Sequence, residues 1–322
     1  MSAAPCIAIL LATYNPDTVW LRRQLLSLNG QNWENLRLYV RDDASTTITS
    51  EELRSILAEC VTAFPYSFAV NERNLGSNAT FERLTAEAEG EYFAYCDQDD
   101  IWHPRKLCIS FAALCRSRAE LVCSDVRIID AEDRPVADSI TDIRRHHVFR
   151  EGAGLAPRLL VHNFVIGCTV LLPAVTAKAA VPFCPYMVHD HWLALFCAER
   201  GSIACVHEPL MDYRVHSGNQ TGLLAGVTDK RSYSEVRIEL LRRRFRWLRE
   251  HFSCGTETAH ALAEATLWAD ARYENWHHMG GKAFLWKYRH FSPLASVLEL
   301  GGSRLPESIF AAALRAARKN RI

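Results

Sequence analysis

Short apolar runs alternate with amphipathic segments through the first 125 residues of the chain. The apolar runs have the length and composition of buried β-strands and are Ile7–Leu11, Leu36–Arg41, Ser67–Val70, Tyr92–Cys96 and Leu121–Ser124. The segments between them carry apolar residues at helical spacing and are Val19–Leu28, Ser50–Thr62, Asn78–Glu89 and Pro104–Arg116. This alternation predicts an α/β fold in which helices cover both faces of a mainly parallel central sheet, an αβα sandwich.

The pattern is less regular after residue 125 and becomes helical from Asp229 onward. Asn163–Leu172 and Ile203–His207 have the apolar character of strands, and Trp192–Arg200 between them is helical. Tyr213–Thr221 is rich in turn-forming residues and predicts a loop. The clearest helical segments of the C-terminal region are Arg237–Glu250 and Glu257–Trp276.

Polar or acidic residues follow four of the predicted strands, in segments 12–15, 42–45, 71–76 and 97–100. Ligands of open α/β sheets bind beyond the carboxyl ends of the strands. We therefore expect a polar binding site at the carboxyl ends of these strands.

Asp97 and Asp99 come directly after the strand Tyr92–Cys96. Residues two apart in extended chain point the same way, so both carboxylates can face one site. Clustered carboxylates stay ionised only when a positive charge neutralises them. Mg²⁺ and Mn²⁺ typically bind one or two carboxylates together with substrate phosphates, which predicts a metal and phosphate site. The alternative is an acidic surface loop that caps the helix beginning at Pro104.

Asp43 and Tyr14 follow neighbouring strands. The carboxylate can accept a hydrogen bond from the imide N–H of uracil or thymine, and the phenol ring can stack on the base. The alternative for Asp43 is a turn-capping role, which the following Ala-Ser-Thr sequence also fits.

Asp190 lies between two histidines at the start of a predicted helix. The spacing of His189 and His191 is not a recognised zinc pattern. A carboxylate near a helix N-terminus stays anionic at neutral pH, which suits a general base that deprotonates a hydroxyl group. The structural alternative is a helix cap.

Basic residues occur in two places near the C-terminal half. Arg214 and His216 precede Gly218 in the predicted loop and can close over a pyrophosphate through charge-assisted hydrogen bonds or metal contact; the alternative is a solvated loop. The run Arg242–Arg249 is interpreted as a solvated or helix-packing face; the alternative is a face that lies on anionic lipid or on a pyrophosphate-linked lipid.

The composition is that of an ordinary globular protein, with 49% hydrophobic and 23% charged residues. Lys and Arg total 37 and Asp and Glu total 37, which argues against a nucleic-acid binder. Eleven cysteines include no CxxC pair, which favours reduced thiols in a cytosolic protein. The N-terminus lacks a signal-peptide pattern, and the longest apolar stretch, Phe164–Ala177, is too short to span a bilayer. We expect a cytoplasmic protein.

The strand-end segments and two later stretches together resemble the family 2 glycosyltransferases of bacterial surface-polysaccharide synthesis. They occur in the order of that family and are LLATYNP at 10–16, RDDAST at 41–46, NLGSNATF at 74–81, YCDQDDIWHPRKL at 95–107, HDHW at 189–192 and YRVHSGNQTG at 213–222. The resemblance implies a GT-A fold, inversion at the anomeric carbon, and dependence on Mg²⁺ or Mn²⁺. It divides the chain into a nucleotide-sugar-binding half (1–125), an acceptor-binding half (126–227) and a C-terminal helical region (228–322).

The resemblance also implies roles for individual residues. Ala12 and Tyr14 would line the base pocket, and Asp43 would read the pyrimidine. Asp97 would lie near the ribose and the donor sugar. The remaining implied roles are the metal ligand Asp99, the general base Asp190, and a loop histidine near the metal or diphosphate, His216.

The implied activity is transfer of a sugar from a UDP- or dTDP-sugar to a hydroxyl of a glycan or lipid-linked acceptor. The wording DQDDIW leans toward dTDP-L-rhamnose as donor. The QxxRW signature of processive members is missing, which favours a single-transfer enzyme, and lipid-linked acceptors favour peripheral association with the inner face of the cytoplasmic membrane. The alternatives are a nucleotide-sugar nucleotidyltransferase, which would want a Gly-rich GxGxR loop after the first strand, and a non-enzymatic glycan- or membrane-binding scaffold.

Overall fold

The computed structural model describes residues 4–144, 147–216 and 226–319. Its strands are β1 (Ile7–Thr13), β2 (Leu36–Asp42), β3 (Tyr66–Val70), β4 (Tyr92–Cys96), β5 (Ile101–Trp102), β6 (Leu121–Ile129), β7 (Pro135–Ala137), β8 (Leu171–Pro173) and β9 (Ile203–Arg214). Its helices are α1 (Thr18–Asn29), α2 (Ser50–Cys60), α3 (Ser77–Glu87), α4 (Lys106–Ser117), α5 (Ile140–Ile143), α6 (Ala156–Leu159), α7 (Ala174–Ala179), α8 (His189–Arg200), α9 (Lys230–Tyr233), α10 (Leu240–His251), α11 (Thr256–Trp276), α12 (Lys282–Lys287), α13 (Pro293–Gly302) and α14 (Glu307–Lys319).

The strands of the described residues form one mixed sheet in the order β3-β2-β1-β4-β8-β6-β9-β5, with β7 paired to β6. Strands β3, β2, β1 and β4 are parallel, and so are β6 and β9. Strand β8 lies antiparallel between β4 and β6. Helices lie on both sides of the sheet, which confirms the predicted sandwich.

The first half of the sheet forms where the apolar pattern predicts it. Every residue of Ile7–Leu11 is fully buried, because helices cover both faces of this central strand. The flanking helices begin at polar caps: the Asp17 carboxylate accepts hydrogen bonds from two main-chain N–H groups of α1, and Thr49 and Glu52 form a capping box at α2.

The chain divides into two compact units. The first contains the described residues up to Leu159 together with Asn163–His216, and it holds the entire sheet. The second contains Leu160–His162 and the described residues after His216, and it is helical, as predicted for the C-terminal region. Among the described residues, no helix combines the length and the apolar character that a bilayer span needs.

The predicted strand Asn163–Leu172 is largely wrong. Only its last two residues belong to β8, and a 3₁₀ turn, Gly167–Thr169, precedes them. The Asn163 side chain hydrogen-bonds both main-chain groups of Val165, so local hydrogen bonds replace a ladder.

The predicted loop Tyr213–Thr221 is wrong at its first two residues. Tyr213 and Arg214 continue β9 and pair with Ile128 and Ile129. Residues 217–221 lie outside the described residues.

Candidate active site

Hydrogen bonds join the segments that follow the carboxyl ends of β1, β2 and β4. The main-chain N–H of Asp43 donates to the carbonyl of Thr13 at 2.7 Å. The Gln98 side chain accepts from the Tyr14 N–H at 2.8 Å and donates to the Tyr14 carbonyl at 3.1 Å. The predicted strand-end segments therefore meet, and the Tyr14 backbone is held by the acidic loop after β4.

Tyr14 and Ala12 lie at the end of β1, and their role in a base pocket stays a prediction. The Tyr14 side chain is exposed just past the end of β1, and Ala12 is half-buried within the same strand. An exposed ring fixed through its main chain can stack on a planar base at little entropic cost.

The Asp43 carboxylate is buried and organises the loop that follows β3. It accepts hydrogen bonds from the Asn71 side chain and from the N–H groups of Leu75 and Gly76, each at 2.8 Å. Gly76 has φ +84, a conformation that favours glycine, and it leads directly into α3. The Asp43 carboxylate thus stabilises the loop after β3, and recognition of the base by the same carboxylate stays a prediction.

Asp99 and His216, the two predicted metal ligands, lie in direct contact. Their Oδ2 and Nε2 atoms are 2.8 Å apart. This is the length of a hydrogen bond, and it places a carboxylate oxygen and an imidazole nitrogen, both of which can bind a divalent ion, side by side. The Trp20 ring lies 4.7 Å from the His216 ring and holds it in place.

Asp97 and Asp100 lie close to Asp99 and carry strongly perturbed carboxyl groups. Burial, followed by the charges of Asp99 and Asp190, raises the pKa of Asp97 to about 7. Burial and the same acidic loop raise the pKa of Asp100 well above its usual range. Ligand atoms of Asp97, Asp100 and Cys168 all lie within 4.8 Å of one another. Such crowding of carboxylates favours binding of a cation.

Arg214 was predicted to contact the diphosphate, but the structure places it elsewhere. Its side chain is fully buried, and its guanidinium donates to the carbonyls of Asp99, at 2.8 Å, and of Asp130, at 2.9 Å. Its main-chain N–H donates to Asp100 Oδ1 at 3.0 Å. Arg214 is inaccessible because β9 carries it into the sheet, so it supports the backbone of the acidic loop.

Asp190 lies in the first turn of α8, at the helix start that the sequence predicts, and its role as general base stays a prediction. The Asn163 side chain donates to its Oδ1 at 3.1 Å. Burial raises the pKa of this carboxyl to about 6, against the opposing effect of N–H groups of His191, Gly167 and Asn163. A carboxylate of this kind is ionised at neutral pH and is a stronger base than an exposed aspartate.

The two neighbouring histidines, His189 and His191, are buried and pack within the fold. His189 packs against the rings of Phe81, at 4.0 Å, and Tyr95, at 5.4 Å, and burial lowers its pKa to about 3. His191 is buried, and its Nε2 contacts the Leu159 carbonyl. Of the three side chains of the HDH sequence, that of Asp190 is the least buried.

Four residues of the site were missed by sequence reasoning: Trp20, Gln98, Asn163 and Gly167. The position of Gln98 could have been predicted from the sequence. It lies between Asp97 and Asp99 in extended chain, so its side chain points away from theirs. The other three could not, since their roles depend on contacts between segments distant in sequence.

Comparison with known proteins points to one family. The sequence model described as "Glycosyl transferase family 2" matches residues 8–176. A dTDP-rhamnosyl transferase of Shigella flexneri, RfbG, is 28% identical over 273 residues, which cover 79% of this chain and 85% of that protein.

Solved structures agree at the level of the fold. Residues 1–349 of S. aureus TarS, in complex with UDP-GlcNAc, superpose with a TM-score of 0.59 and 14% identity, covering 98% of this chain and 92% of TarS 1–349. The mannosyltransferase PcManGT of Pyrobaculum calidifontis, in complex with GDP-Man and Mn²⁺, superposes with a TM-score of 0.57 and 15% identity. The match covers 99% of this chain and 81% of PcManGT.

Proposed function

The chain belongs to glycosyl transferase family 2, and from this premise we propose that it moves a sugar from a pyrimidine nucleoside diphosphate sugar to an acceptor hydroxyl with inversion. The observation that carries the proposal is the contact of Asp99 with His216 beside Asp97, whose pKa responds to the charge of Asp190. A metal and diphosphate site and a carboxylate base are thus close together, as a single displacement requires.

Asp99 and His216 are the residues that would hold Mg²⁺ or Mn²⁺. Their 2.8 Å separation and the excess of carboxylates around them support this assignment. Such an ion, when bound, offsets the charge that builds on the leaving nucleoside diphosphate. Arg214 contributes indirectly, because it fixes the main chain of Asp99.

The other residues bind and orient the reactants. Tyr14 stacks on the base, with Ala12 beneath it and Asp43 at the imide edge, while Asp97 lies near the ribose and donor sugar. Asp190 takes the proton from the acceptor hydroxyl, and that oxygen attacks the anomeric carbon opposite the leaving group. A single in-line displacement inverts the configuration.

The donor we favour is a UDP- or dTDP-sugar, with dTDP-L-rhamnose first. The similarity to a protein described as a dTDP-rhamnosyl transferase supports this choice. The acceptor we propose is a glycan or lipid-linked saccharide of a bacterial surface polysaccharide, reached by a cytoplasmic enzyme at the inner membrane face in single, non-processive transfers. Family membership argues against the nucleotidyltransferase and the scaffold considered from the sequence.

A donor screen tests the proposal. Release of nucleoside diphosphate is measured from UDP-, dTDP- and GDP-sugars with lipid-linked saccharide acceptors, in Mg²⁺, in Mn²⁺ and in chelator, with Asp190→Asn as the matched inactive control. We expect metal-dependent release from a pyrimidine donor. Turnover of GDP-sugars alone, or full turnover in chelator, would contradict the proposal.

A further inference from the structure

Helix α13 has its polar side inside and its apolar side outside. Ser296 and Glu299 are each 1% exposed, whereas Leu294 is 65%, Val297 54% and Leu298 59% exposed. The three apolar residues are spaced three and four apart, so they form one continuous stripe on the helix.

This orientation is fixed by a buried polar network within the helical unit. Glu299 pairs with Arg272 through two contacts of 2.8 and 2.5 Å, and it accepts a hydrogen bond from the Tyr233 hydroxyl at 2.7 Å. The Trp268 indole N–H donates to the Ser296 hydroxyl at 3.0 Å. Rotating α13 to bury its leucines would break this pair and leave Arg272 without its partner, which is strongly unfavourable.

Helix α12 adds aromatic residues to the same part of the unit. It packs against α13 and α11 and leaves about half of the Phe284 and Trp286 side chains exposed. We call these two residues together with the stripe on α13 the α12–α13 apolar surface. The stripe on α13 is contiguous, and contiguous exposed apolar residues mark interaction sites on folded proteins. Phe284 and Trp286 stand two apart on α12 and add exposed aromatic side chains on different sides of that helix.

The exposed charged side chains within residues 277–306, the segment that carries this surface, are basic, and the exposed Glu274 and Glu307 lie just outside it. Between residues 277 and 306 the acidic side chains are confined to Glu299, which is buried and paired with Arg272. The exposed basic side chains of the same segment are Lys282, Lys287, Arg289 and Arg304. A cationic rim around apolar and aromatic side chains complements an anionic lipid surface.

The arginine run of α10 does not offer such a surface. Its apolar residues Phe245 and Leu248 are fully buried in the fold, and Arg242 pairs with Asp270 at 2.8 Å. The exposed members include Arg243 and Arg246. Their apolar neighbours on the helix are Leu240, which is 36% exposed, and the half-buried Trp247, so α10 exposes less apolar surface than α13.

We propose that the α12–α13 apolar surface docks the protein on an anionic lipid bilayer. The exposed Leu, Val, Phe and Trp side chains insert at the level of the headgroups, and the basic rim contacts lipid phosphates. The surface belongs to the helical unit and includes no residue of the sugar-transfer site. The proposal therefore rests on the membrane location within the proposed function and is independent of the proposed sugar-transfer chemistry.

Co-sedimentation of the full chain with vesicles tests it. The probes are phosphatidylglycerol mixed with phosphatidylcholine, and phosphatidylcholine alone, each at low and high salt. One pair of variants removes apolar side chains, Leu294→Ser/Leu298→Ser against the control Val175→Ser on α7. The other removes charge, Lys282→Ser/Lys287→Ser against the control Arg243→Ser/Arg246→Ser on α10.

We expect binding to the anionic vesicles that weakens at high salt and falls roughly fivefold for each lost charge of the rim. The apolar variant should bind weakly, and both controls should bind like the wild type. All variants should keep the wild-type melting temperature and nucleotide binding, because the changed residues are exposed.

Three results would overturn the proposal. The wild type could fail to bind anionic vesicles at low salt, or the α10 control could lose as much binding as the rim variant. Sedimentation could instead show a dimer that Leu294→Ser/Leu298→Ser converts to a monomer, with no vesicle binding by either; the surface would then be a contact between two copies of the chain.

Discussion

His216 Nε2 lies 2.8 Å from Asp99 Oδ2, although 117 residues separate the two in sequence. The contact forms because β9 pairs antiparallel with β5, with Ile101 opposite Asp212, so the residues after Arg214 run beside the acidic loop that precedes β5. The acidic loop after β4 thereby has an imidazole nitrogen beside its carboxylates. Both residues are partly accessible, so a metal can reach them.

We predict that Asp99→Asn abolishes transfer while the protein stays folded. The amide keeps the size of the side chain and its contact with His216, but it removes the negative charge that a divalent ion needs. Calorimetry measures the affinity for UDP or dTDP in Mn²⁺ and in chelator. In Asp99→Asn we expect the affinity to be the same in both. Full turnover by the Asp99→Asn variant would remove Asp99 from the metal site.

We predict that Asp43→Ala weakens binding of UDP or dTDP roughly tenfold or more, because a hydrogen bond to a charged group contributes about 1.5–3 kcal/mol. Asp43 also anchors the loop after β3, so Asn71→Ala serves as the matched control: it loses a loop contact and no base contact. Equal losses in the two variants would assign the effect to the loop. Tighter binding of GDP than of UDP and dTDP by the wild type would also contradict base selection by Asp43.

The positions of Asp97, Asp99 and Asp190 could be predicted because each depends on local order: a strand end for the first two and a helix start for the third. Arg214 could not, since its burial depends on how far β9 continues. The same limit applies to α13, where a buried Arg272–Glu299 pair overrides the usual burial of the apolar side. The spacing of apolar residues predicts a helix, but contacts with other segments determine which side of that helix is buried.

We predict that Gly167→Ala lowers turnover and destabilises the fold by about 1–3 kcal/mol, the usual range for overpacking. A Cβ at this position would lie 2.7 Å from His189 Nε2, and the imidazole packs against the rings of Phe81 and Tyr95. The displaced ring would move the first turn of α8 and with it Asp190. Donor affinity should change little.

A double variant provides the control for Gly167. Gly167→Ala/His189→Ala removes the clash, so it should recover turnover relative to Gly167→Ala alone, measured in the same assay. Absence of any recovery, together with a normal melting temperature, would show that the glycine acts in another way.

We predict that Asp190→Asn reduces kcat by roughly 10²–10⁴-fold and leaves the dissociation constants of donor and metal near wild type. A general base acts on the acceptor, so its loss affects the chemical step and spares donor binding. Asp99→Asn should lose both, which separates the two roles. His189→Ala and His191→Ala are the rival-base controls; a dead histidine variant beside an active Asp190→Asn would transfer the role to that histidine.

The pH dependence of kcat offers an independent test of the same carboxylate. Burial raises the pKa of Asp190 to about 6, so the group is protonated and inactive as a base below that pH and ionised above it. Turnover should therefore rise with pH through about 6 and then level off. Asn163 donates a hydrogen bond that stabilises the charged carboxylate, and its removal in Asn163→Ala should raise the pKa of Asp190. The acidic limb of the profile should accordingly move to higher pH, while kcat on the plateau changes less than it does in Asp190→Asn. A limb that stays in place in Asn163→Ala, with the fold intact, would mean that another group controls the acidic limb.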